Sequence, residues 1–342
     1  MDNIICEVMD VYKIAVIPGD GIGKTVTSEA VRVLKSTDLK FEFQFMKVGY
    51  EVFKKVGTPV PENVVSKMKD TQACLFGATT TPVGVPNYRS AIVTLRKALD
   101  LYANVRPVKS HPVRNCVRDV NLVIVRENTE GLYSGVEFET EDSAFAVRVI
   151  TRRACERIAR FAFNLTMRRR RKVTIVTKAN VMRKTCGLFR EVSLLVAKDY
   201  PEVEVNELFV DVAAMNLVLK PQVFDVILTS NLFGDILSDE AAGLIGGLGL
   251  APSGNIGDNY GLFEPVHGSA PDIAGKRIAN PIAAILAAKM MLDYLGEDKW
   301  AEQVENAVVT VLKEGKQLTP DLGGSSTTSE VTEAIIVALE KA

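Results

Sequence analysis

The chain has 342 residues, of which 47% are hydrophobic and 24% are charged, and its formal net charge is −1. This length suits two domains better than one core, and the balanced charge argues against nucleic acid or an acidic membrane surface as a partner. No apolar run approaches the roughly 18 residues that a membrane span requires.

The N-terminal residues and the cysteines indicate a cytoplasmic protein. Residues 1–10 carry acids and no basic residue, unlike a signal peptide, and are expected to form a short overhang before the first strand. The five cysteines are widely spaced and lack the spacing of metal ligands, which is typical of reduced thiols.

Strand-like and helix-like patterns alternate from residue 12 onward. A β-branched run at 12–18 leads through a glycine-rich loop into a helical pattern at 26–34. Further strands are predicted at 41–48, 73–77, 121–126, 172–177, 205–210 and 223–229, and further helices at 61–69, 153–168 and 185–199. This alternation predicts an α/β protein with a largely parallel sheet.

The remaining segments carry other patterns. Residues 145–151 indicate an exposed strand, which would suit half of an interlocking arm between subunits. Residues 243–280 are rich in Gly, Pro and Ser with little periodicity, so a long functional loop is expected there. Helices are predicted at 282–294, at 300–313 and from 329 onward.

The glycine-rich loop at 19–24 does not fit the dinucleotide-binding fingerprint. Lys24 stands where the third glycine of G-x-G-x-x-G belongs, and no acidic residue follows at the expected distance on a second strand. The loop is therefore interpreted as a tight βα turn that lets the backbone approach a ligand closely.

Two aspartates, Asp235 and Asp239, are spaced four residues apart at the predicted start of a helix. At that spacing both carboxylates project from one helix face and could share a divalent cation such as Mg²⁺ or Mn²⁺. The alternative is a helix start whose acids complement the helix dipole. The apolar and small flanking residues predict a buried cleft, where unpaired charges are costly, and so favour the cation.

Several side chains could bind or act on an anionic substrate. Arginine binds carboxylates with a planar pair of donors, and a lysine at the end of a buried strand can have its pKa lowered by desolvation and act as a base. Ordinary surface arginines and a snorkelling lysine are the alternatives. The candidates lie near predicted strand or helix ends: Arg96, Arg106, Arg126 and Lys178.

These residues belong to longer motifs that resemble the β-decarboxylating dehydrogenases, the family of isocitrate, 3-isopropylmalate and homoisocitrate dehydrogenases. The most specific matches are NLFGDILSD at 231–239 with GGLG at 246–249, and EPVHGSAPDIAG at 264–275. The resemblance extends over nearly the whole chain, from IPGDGIG at 17–23 to TPDLGG at 319–324.

The resemblance implies two α/β domains around a cleft, in the isocitrate/isopropylmalate dehydrogenase-like fold and not a classical Rossmann fold. Residues 1–98 and 250–342 would form the large cofactor-binding domain. Residues 99–249 would form the small domain for substrate, metal and dimerisation. The active sites would be shared across a homodimer, with a tetramer as the alternative assembly.

The resemblance also implies roles for the charged residues. Asp235 and Asp239 would bind Mg²⁺ or Mn²⁺ together with the partner subunit's Asp211. The metal would acidify the substrate hydroxyl and act as an electron sink for decarboxylation. The partner subunit's Lys178 would assist removal of the hydroxyl proton, and Tyr133 would protonate the enolate after CO₂ leaves. The malate-like carboxylates would be held by three arginines, Arg96, Arg106 and Arg126.

The cofactor implied is NAD. Asp272 stands at the position that resembles the ribose-binding acid, where a carboxylate accepts hydrogen bonds from two hydroxyls and repels a 2′-phosphate. Family members that use NADP carry a lysine there. Asn280 would reach the adenine. The full set of implied cofactor contacts is Glu264, His267, Gly268, Ser269, Ala270, Asp272, Ile273 and Asn280.

Arg89 and Ser90 discriminate among the substrates. An arginine and a serine suit a carboxylate at the far end of the substrate. An apolar or acidic residue in place of Arg89 would suit the alkyl arm of isopropylmalate. Isocitrate enzymes often carry asparagine where this chain has Ile92. The pattern is most similar to archaeal homoisocitrate dehydrogenases, which act in lysine or related biosynthesis. Homoisocitrate is therefore favoured over isocitrate, and 3-isopropylmalate, the leucine-pathway substrate, comes third.

Two rival interpretations explain the sequence less well. A non-catalytic regulatory subunit would be expected to lack some of the tyrosine, lysine and aspartates named above, yet all are present. A phosphate-binding module built on the loop at 19–24 leaves the paired aspartates unexplained.

Overall fold

The computed structural model describes residues 11–114 and 116–341. The predicted overhang at 1–10 lies outside the described residues. The strands are β1 Tyr12–Gly19, β2 Phe41–Phe45, β3 Ala73–Ala78, β4 Ala103–Lys109, β5 Asn121–Glu127, β6 Gly131–Glu139, β7 Ala144–Val149, β8 Lys172–Thr177, β9 Glu204–Phe209, β10 Val226–Thr229, β11 Pro252–Ile256 and β12 Gly261–Pro265. The α-helices are α1 Gly23–Lys35, α2 Tyr50–Val56, α3 Glu62–Lys69, α4 Ala91–Ala98, α5 Arg152–Thr166, α6 Thr185–Ala197, α7 Val210–Leu219, α8 Asn231–Leu244, α9 Ile282–Leu295, α10 Asp298–Glu314 and α11 Thr328–Leu339.

Ten strands form one sheet in the order β2-β1-β3-β12-β11-β4-β5-β10-β8-β9. The flanks are parallel, as predicted, but the middle is antiparallel: β11 runs against both β12 and β4, and β4 runs against β5. The α/β prediction is confirmed, and the structure adds that two parallel blocks meet through an antiparallel centre. The predicted two-domain division stays a prediction, and its boundary would fall between β11 and β4.

The expected loop at 243–280 is wrong in part, because it contains β11 and β12 at the centre of the sheet. Both strands have five residues, and β11 reads Pro-Ser-Gly-Asn-Ile. Its polar residues and its glycine have low β-propensity, so neighbouring strands and not local preference make it a strand. The exposed strand predicted at 145–151 is present as β7, paired with β6 in a separate two-stranded sheet.

Helices cover both faces of the large sheet, and β5 shows how the sequence achieves this. Leu122 and Ile124 join one apolar cluster, which contains α1, α9 and α10. Val123 and Val125 join another cluster under α5 and α6. Successive side chains of a strand point to opposite faces, so a continuous apolar run is what a strand buried on both sides requires. Within the described ranges, none of the helices combines the length and the apolar character needed to cross a membrane.

The loop after β1 is a structural junction. Asp20 is buried, and its carboxylate accepts hydrogen bonds from the backbone N–H groups of Tyr50 at 2.8 Å and Thr80 at 3.0 Å. Gly21 has φ of +53°, and a Cβ there would lie 2.0 Å from the carbonyl oxygen of Ser269. The close approach predicted for this loop is therefore made to protein backbone, and it fixes the loop against the segment after β12.

We expect Gly21→Ala to lower the free energy of unfolding by about 3 kcal/mol, because it combines left-handed backbone strain with a steric overlap. Gly57→Ala is the matched control, since φ is +76° there but nothing lies within 4 Å of the added Cβ. That variant should lose only about 1 kcal/mol. Urea denaturation measures both, and equal losses would contradict the overlap.

Candidate active site

A cavity of about 950 Å³ opens over the antiparallel centre of the sheet. It is lined by the C-terminal ends of β3 and β12, by α4 and the loop before it, and by β6 and α8. Seven of the sequence-predicted substrate, proton-transfer and metal residues lie in its lining: Arg89, Ser90, Arg96, Arg106, Arg126, Tyr133 and Asp235.

The floor of this cavity follows from strand register. Asn104 on β4 lies opposite Asn255 on β11 and Arg126 on β5. Because side chains alternate between faces, Arg106 shares the face of Asn104. The opposite face of β4 carries Ala103 and Val105, which belong to the apolar cluster under α5 and α6. Arg106 therefore lies in the middle of a strand, and the predicted position at a strand or helix end is wrong for this arginine.

Arg126 is almost completely buried, with 1% of its side chain exposed. Its guanidinium donates to Asp235 Oδ1 and to Asn231 Oδ1, the latter at 2.7 Å from Nη2 and 3.1 Å from Nε. Burial, reinforced by the neighbouring Arg106, lowers the pKa of Arg126 to about 10. The group still carries its charge at neutral pH, so it needs the aspartate beside it.

Arg106 bridges the two aspartates of α8. Its Nη2 lies 3.3 Å from Asp235 Oδ1, and its Nη1 lies 3.1 Å from Asp239 Oδ1. Both carboxylates are thus on one helix face, as the spacing predicted. They are less buried than predicted, with 33% of the Asp235 side chain and 54% of the Asp239 side chain exposed. Asp235 belongs to the cavity lining, whereas Asp239, one turn further along α8, does not.

The two carboxylates differ in pKa. Burial raises the pKa of Asp235, but the charges of Arg126 and Arg106 outweigh it, and the net pKa lies below the ordinary value. Burial dominates at Asp239 and holds its pKa above the ordinary value, although Arg106 opposes this. Among the described residues of this one chain, no group of three or more His, Cys, Asp and Glu is arranged to hold a metal ion. The oxygen-only pair suits Mg²⁺ or Mn²⁺ and requires further ligands.

Tyr133 is held against Asp235. Its Oη donates to Asp235 Oδ2 at 2.5 Å, and the guanidinium of Arg126 lies 5.1 Å from its ring centroid. Burial and the hydrogen bond to Asp235 raise the pKa of Tyr133, so the phenol is protonated at neutral pH. Lys97 donates to the backbone carbonyl of Tyr133 at 2.9 Å. The phenolic proton of Tyr133 is therefore directed at the Asp235 carboxylate, and both residues belong to the cavity lining.

Arg96 pairs with Glu264 rather than with an aspartate. Its Nη2 lies 2.9 Å from Glu264 Oε1, and both side chains are buried. The Arg96 Nε is buried with no hydrogen-bond partner in the described structure. The pair lies in the cavity wall, where an unused donor is available to a ligand carboxylate.

Arg89 and Ser90 approach the cavity from the segment between β3 and α4. Arg89 is exposed, and Ser90 is half-buried at the start of α4. The preceding Tyr88 anchors this segment, since its Oη donates to the Thr80 carbonyl at 2.7 Å and its ring meets Phe53 edge-on. The predicted pair of specificity residues therefore lies on an anchored loop facing the same cavity as the three arginines.

Lys178 and Asp211 are not brought to this cavity. They pair with each other, Nζ to Oδ1 at 2.5 Å, and that bond lowers the pKa of Asp211. Lys178 directly follows β8, as predicted. Around α7 and α8 the surface is apolar, with exposed side chains at Phe209, Met215, Val218, Leu219 and Ile236.

The predicted cofactor residues divide into two groups. Glu264, His267 and Gly268 line the cavity. Ser269 bonds to Thr80, hydroxyl to hydroxyl, at 2.7 Å. Like Ser269, four others are not part of the cavity lining formed by the described residues: Ala270, which has φ of 37°, Asp272, which is exposed, Ile273, and Asn280, which donates to Asp321 at 3.0 Å. His267 Nε2 is buried with no partner in the described structure, so this loop offers a free polar atom to a ligand.

The sequence analysis missed several residues that hold the site. Asn231 accepts hydrogen bonds from Arg126, and Asn255, which lies behind the cavity lining, accepts from Asn104 and donates to Glu264. Asn231 could have been found, because it lies one helical turn before Asp235 in the same motif. Asn255 carried no such signal, since its strand was not predicted.

Comparisons with known proteins agree with this geometry. The family model described as isocitrate/isopropylmalate dehydrogenase matches residues 13–335. An "isocitrate/homoisocitrate dehydrogenase" of Thermus thermophilus is 56% identical over 96% of this chain and 99% of its own length. A "3-isopropylmalate/3-methylmalate dehydrogenase" of Methanocaldococcus jannaschii is 52% identical over 95% and 98%. The crystal structure of isocitrate dehydrogenase from Methylococcus capsulatus superposes with a TM-score of 0.93 at 48% identity, covering 96% and 99%.

The match spans the strands and helices that build the cavity, and the relatives are matched over nearly their full lengths. The chain therefore belongs to the isocitrate/isopropylmalate dehydrogenase family and is a β-decarboxylating dehydrogenase.

Proposed function

We propose that the protein catalyses the NAD-dependent oxidative decarboxylation of homoisocitrate to 2-oxoadipate. Isocitrate is the second candidate and 3-isopropylmalate the third, and one enzyme could serve more than one of them. The observation that carries the proposal is the presence of Arg89 and Ser90 in the same cavity as Arg96, Arg106 and Arg126. The names of the relatives include all three substrate types, so the choice among them rests on Arg89 and Ser90.

The arginines would divide the substrate between them. Arg96, Arg106 and Arg126 would hold the carboxylates common to all three candidates, because their buried guanidinium groups favour anions. The present bonds of Arg106 and Arg126 to Asp235 and Asp239 would rearrange as the substrate carboxylates enter. Arg89 would bind the carboxylate that the tricarboxylic substrates carry and isopropylmalate lacks. A charged hydrogen bond of roughly 1.5–3 kcal/mol is enough to select between them.

Asp235 and Asp239 would hold a divalent cation, Mg²⁺ or Mn²⁺, with the partner subunit's Asp211 as a third ligand. When bound, the ion supplies Lewis acidity that lowers the pKa of the substrate hydroxyl and accepts electron density during decarboxylation. The chain's own acids fit such an ion through their oxygen donors and their common helix face. The raised pKa of Asp239 would fall once a cation lies beside it.

Two proton transfers would use side chains of different subunits. Lys178 Nζ of one subunit would assist removal of the hydroxyl proton in the other subunit's site. Tyr133 Oη would deliver its proton to the carbon from which CO₂ has left, and its raised pKa keeps that proton in place at neutral pH. The Tyr133 hydrogen bond to Asp235 would open before this transfer, because the phenol has one proton to donate.

A homodimer would bring Lys178 and Asp211 to the cavity of the second subunit. Within one chain the two residues are paired with each other away from the cavity lining. The exposed apolar side chains on α7 and α8 are of the kind that a subunit interface buries. The two-stranded arm of β6 and β7 would extend the contact, since Phe138 and Phe145 stack on its surface and are both exposed.

NAD would lie along the segment after β12. His267 would offer its free Nε2, and Asp272 would accept hydrogen bonds from the adenosine ribose hydroxyls. Because Asp272 is exposed, its charge would repel the 2′-phosphate of NADP. Asn280 would exchange its bond with Asp321 for a contact with the adenine.

The first prediction tests the proposed function directly. The purified protein with Mg²⁺ or Mn²⁺ should reduce NAD with homoisocitrate at the highest kcat/KM, then isocitrate, then 3-isopropylmalate. NADP should give a lower kcat/KM than NAD for each. Absorbance of the reduced cofactor measures all rates. A higher value with 3-isopropylmalate than with either tricarboxylate, or with NADP than with NAD, would contradict the corresponding assignment.

The second prediction concerns Arg89. Arg89→Leu should lower kcat/KM for homoisocitrate and isocitrate by about tenfold or more, because the distal carboxylate loses a charged partner. The kcat/KM for 3-isopropylmalate should stay unchanged or increase. Arg152→Leu, which changes an exposed arginine outside the cavity lining, is the control. If all three substrates lose equally, Arg89 has a structural role only.

The third prediction concerns the shared sites. Lys178→Ala and Tyr133→Phe proteins should each be inactive, and mixing them after subunit exchange should restore activity. Half of the dimers would be hybrids with one of two sites intact, so recovery should approach about one quarter of the native rate. Mixing Tyr133→Phe with Asp235→Asn should restore none, because both residues belong to the same subunit's half of the site. Absence of recovery in the first mixture, with exchange verified, would refute the shared site.

A further inference from the structure

A buried amide lies behind the Arg96–Glu264 pair. Asn255 on β11 donates from Nδ2 to Glu264 Oε1 at 2.8 Å. The same Glu264 oxygen accepts from Arg96 Nη2 at 2.9 Å. Asn255 is fully buried, and Arg96 and Glu264 are each more than nine-tenths buried. One carboxylate oxygen therefore joins a cavity arginine to an amide that does not line the cavity.

The orientation of this amide is fixed by two further asparagines. Asn255 Oδ1 accepts from Asn104 Nδ2 at 3.0 Å and from Asn128 Nδ2 at 3.0 Å. Asn128 Nδ2 also donates to the carbonyl of Leu101 at 3.0 Å, and Asn104 Nδ2 to Ser253 Oγ at 2.7 Å. Because a backbone carbonyl can only accept, the Leu101 bond fixes the NH₂ group of Asn128, and Asn255 turns its oxygen toward that group. The NH₂ group of Asn255 then donates to Glu264 and, at 3.3 Å, to the backbone carbonyl of Leu262.

We propose that Asn255 is a positioning residue for substrate binding, which it serves by holding Glu264 so that Glu264 fixes the guanidinium of Arg96. This inference rests on the proposed function, in which Arg96 holds a substrate carboxylate. Buried donors bind tightly only when they are already oriented. Arg96 comes from α4, whereas Asn104 lies on β4 and Asn128 directly follows β5. The network therefore aligns Arg96 with Arg106, which lies on β4, and with Arg126, which lies on β5.

Asn255→Asp is the sharpest test. It keeps the size of the side chain and the acceptor for Asn104 and Asn128, but it replaces the donor facing Glu264 with a carboxylate oxygen. We expect KM for the hydroxy acid to rise about tenfold, with a smaller change in kcat. The ratio of variant to native KM should grow as the pH rises from about 6 to about 9, because a proton shared by the two carboxylates can replace the lost donor only while it is bound.

Ser253→Ala is the matched control. Ser253 lies on the same strand, with its backbone opposite Glu264, and its hydroxyl accepts from Asn104 at 2.7 Å; among the described residues that hydroxyl makes no hydrogen bond to Glu264. Its KM should stay within about twofold of the native value. If Asn255→Asp does not fold, Asn255→Ser removes the bond to Glu264 without adding a charge and should raise KM in the same way. A rise in KM no larger than that of Ser253→Ala would overturn the positioning role.

A stability measurement separates this inference from the proposed function. The melting-temperature changes of Asn255→Ser and Arg96→Met should be non-additive in the double variant, because both act on Glu264. The changes of Ser253→Ala and Arg96→Met should add. Additive changes in both pairs would overturn the inference even if the native enzyme is active. If the native enzyme turns over none of the three hydroxy acids, the proposed function fails. Non-additive melting-temperature changes would still show that Asn255 positions Arg96 through Glu264.

Discussion

Three buried guanidinium groups are the constraint on which this structure depends. Arg96, Arg106 and Arg126 are each at least nine-tenths buried in the wall of one cavity. Removing a charge from water is unfavourable unless a partner neutralises it. Two elements bring those partners: α8 supplies Asp235 and Asp239, and β12 supplies Glu264. Concentrated positive charge of this kind suits an anionic ligand. When no ligand is bound, the acidic residues of α8 and β12 neutralise the three arginines.

The antiparallel centre of the sheet gives these charges a rigid base. Parallel strands buried on both faces are usually apolar throughout, which is true of β3 here. In β4 and β11 the pattern changes to alternation, with one face polar toward the cavity and the other apolar toward the helices. On that face the side-chain oxygen of Asn255 accepts hydrogen bonds from the amide groups of Asn104 and Asn128. The site is therefore built from strand side chains, whose positions are set by backbone pairing.

Local sequence patterns predicted some parts of the site and not others. The common face of Asp235 and Asp239 was predictable because helical periodicity places residues i and i+4 side by side. The mid-strand position of Arg106 was not, because β4 interleaves polar with apolar residues, and its partner β11 owes its strand structure to neighbours distant in sequence. The roles of Lys178 and Asp211 across a subunit boundary came only from resemblance, since no local pattern encodes what a second copy contributes. The substrate itself depends on few side chains, and Arg89 lies on a loop outside the sheet.

The alternation in β4 and β11 has a consequence for how such an enzyme can diverge. A one-residue insertion or deletion within either strand would move every following side chain to the other face, placing Arg106 or Asn255 among the aliphatic residues under α5 and α6. The floor of the cavity can therefore change by substitution but not in length. The segment between β3 and α4, which carries Arg89 and Ser90, is not part of the sheet. It is therefore free to vary in sequence and in length. New substrate preferences would thus be expected to arise first in that segment, while the floor keeps the chemistry common to the family.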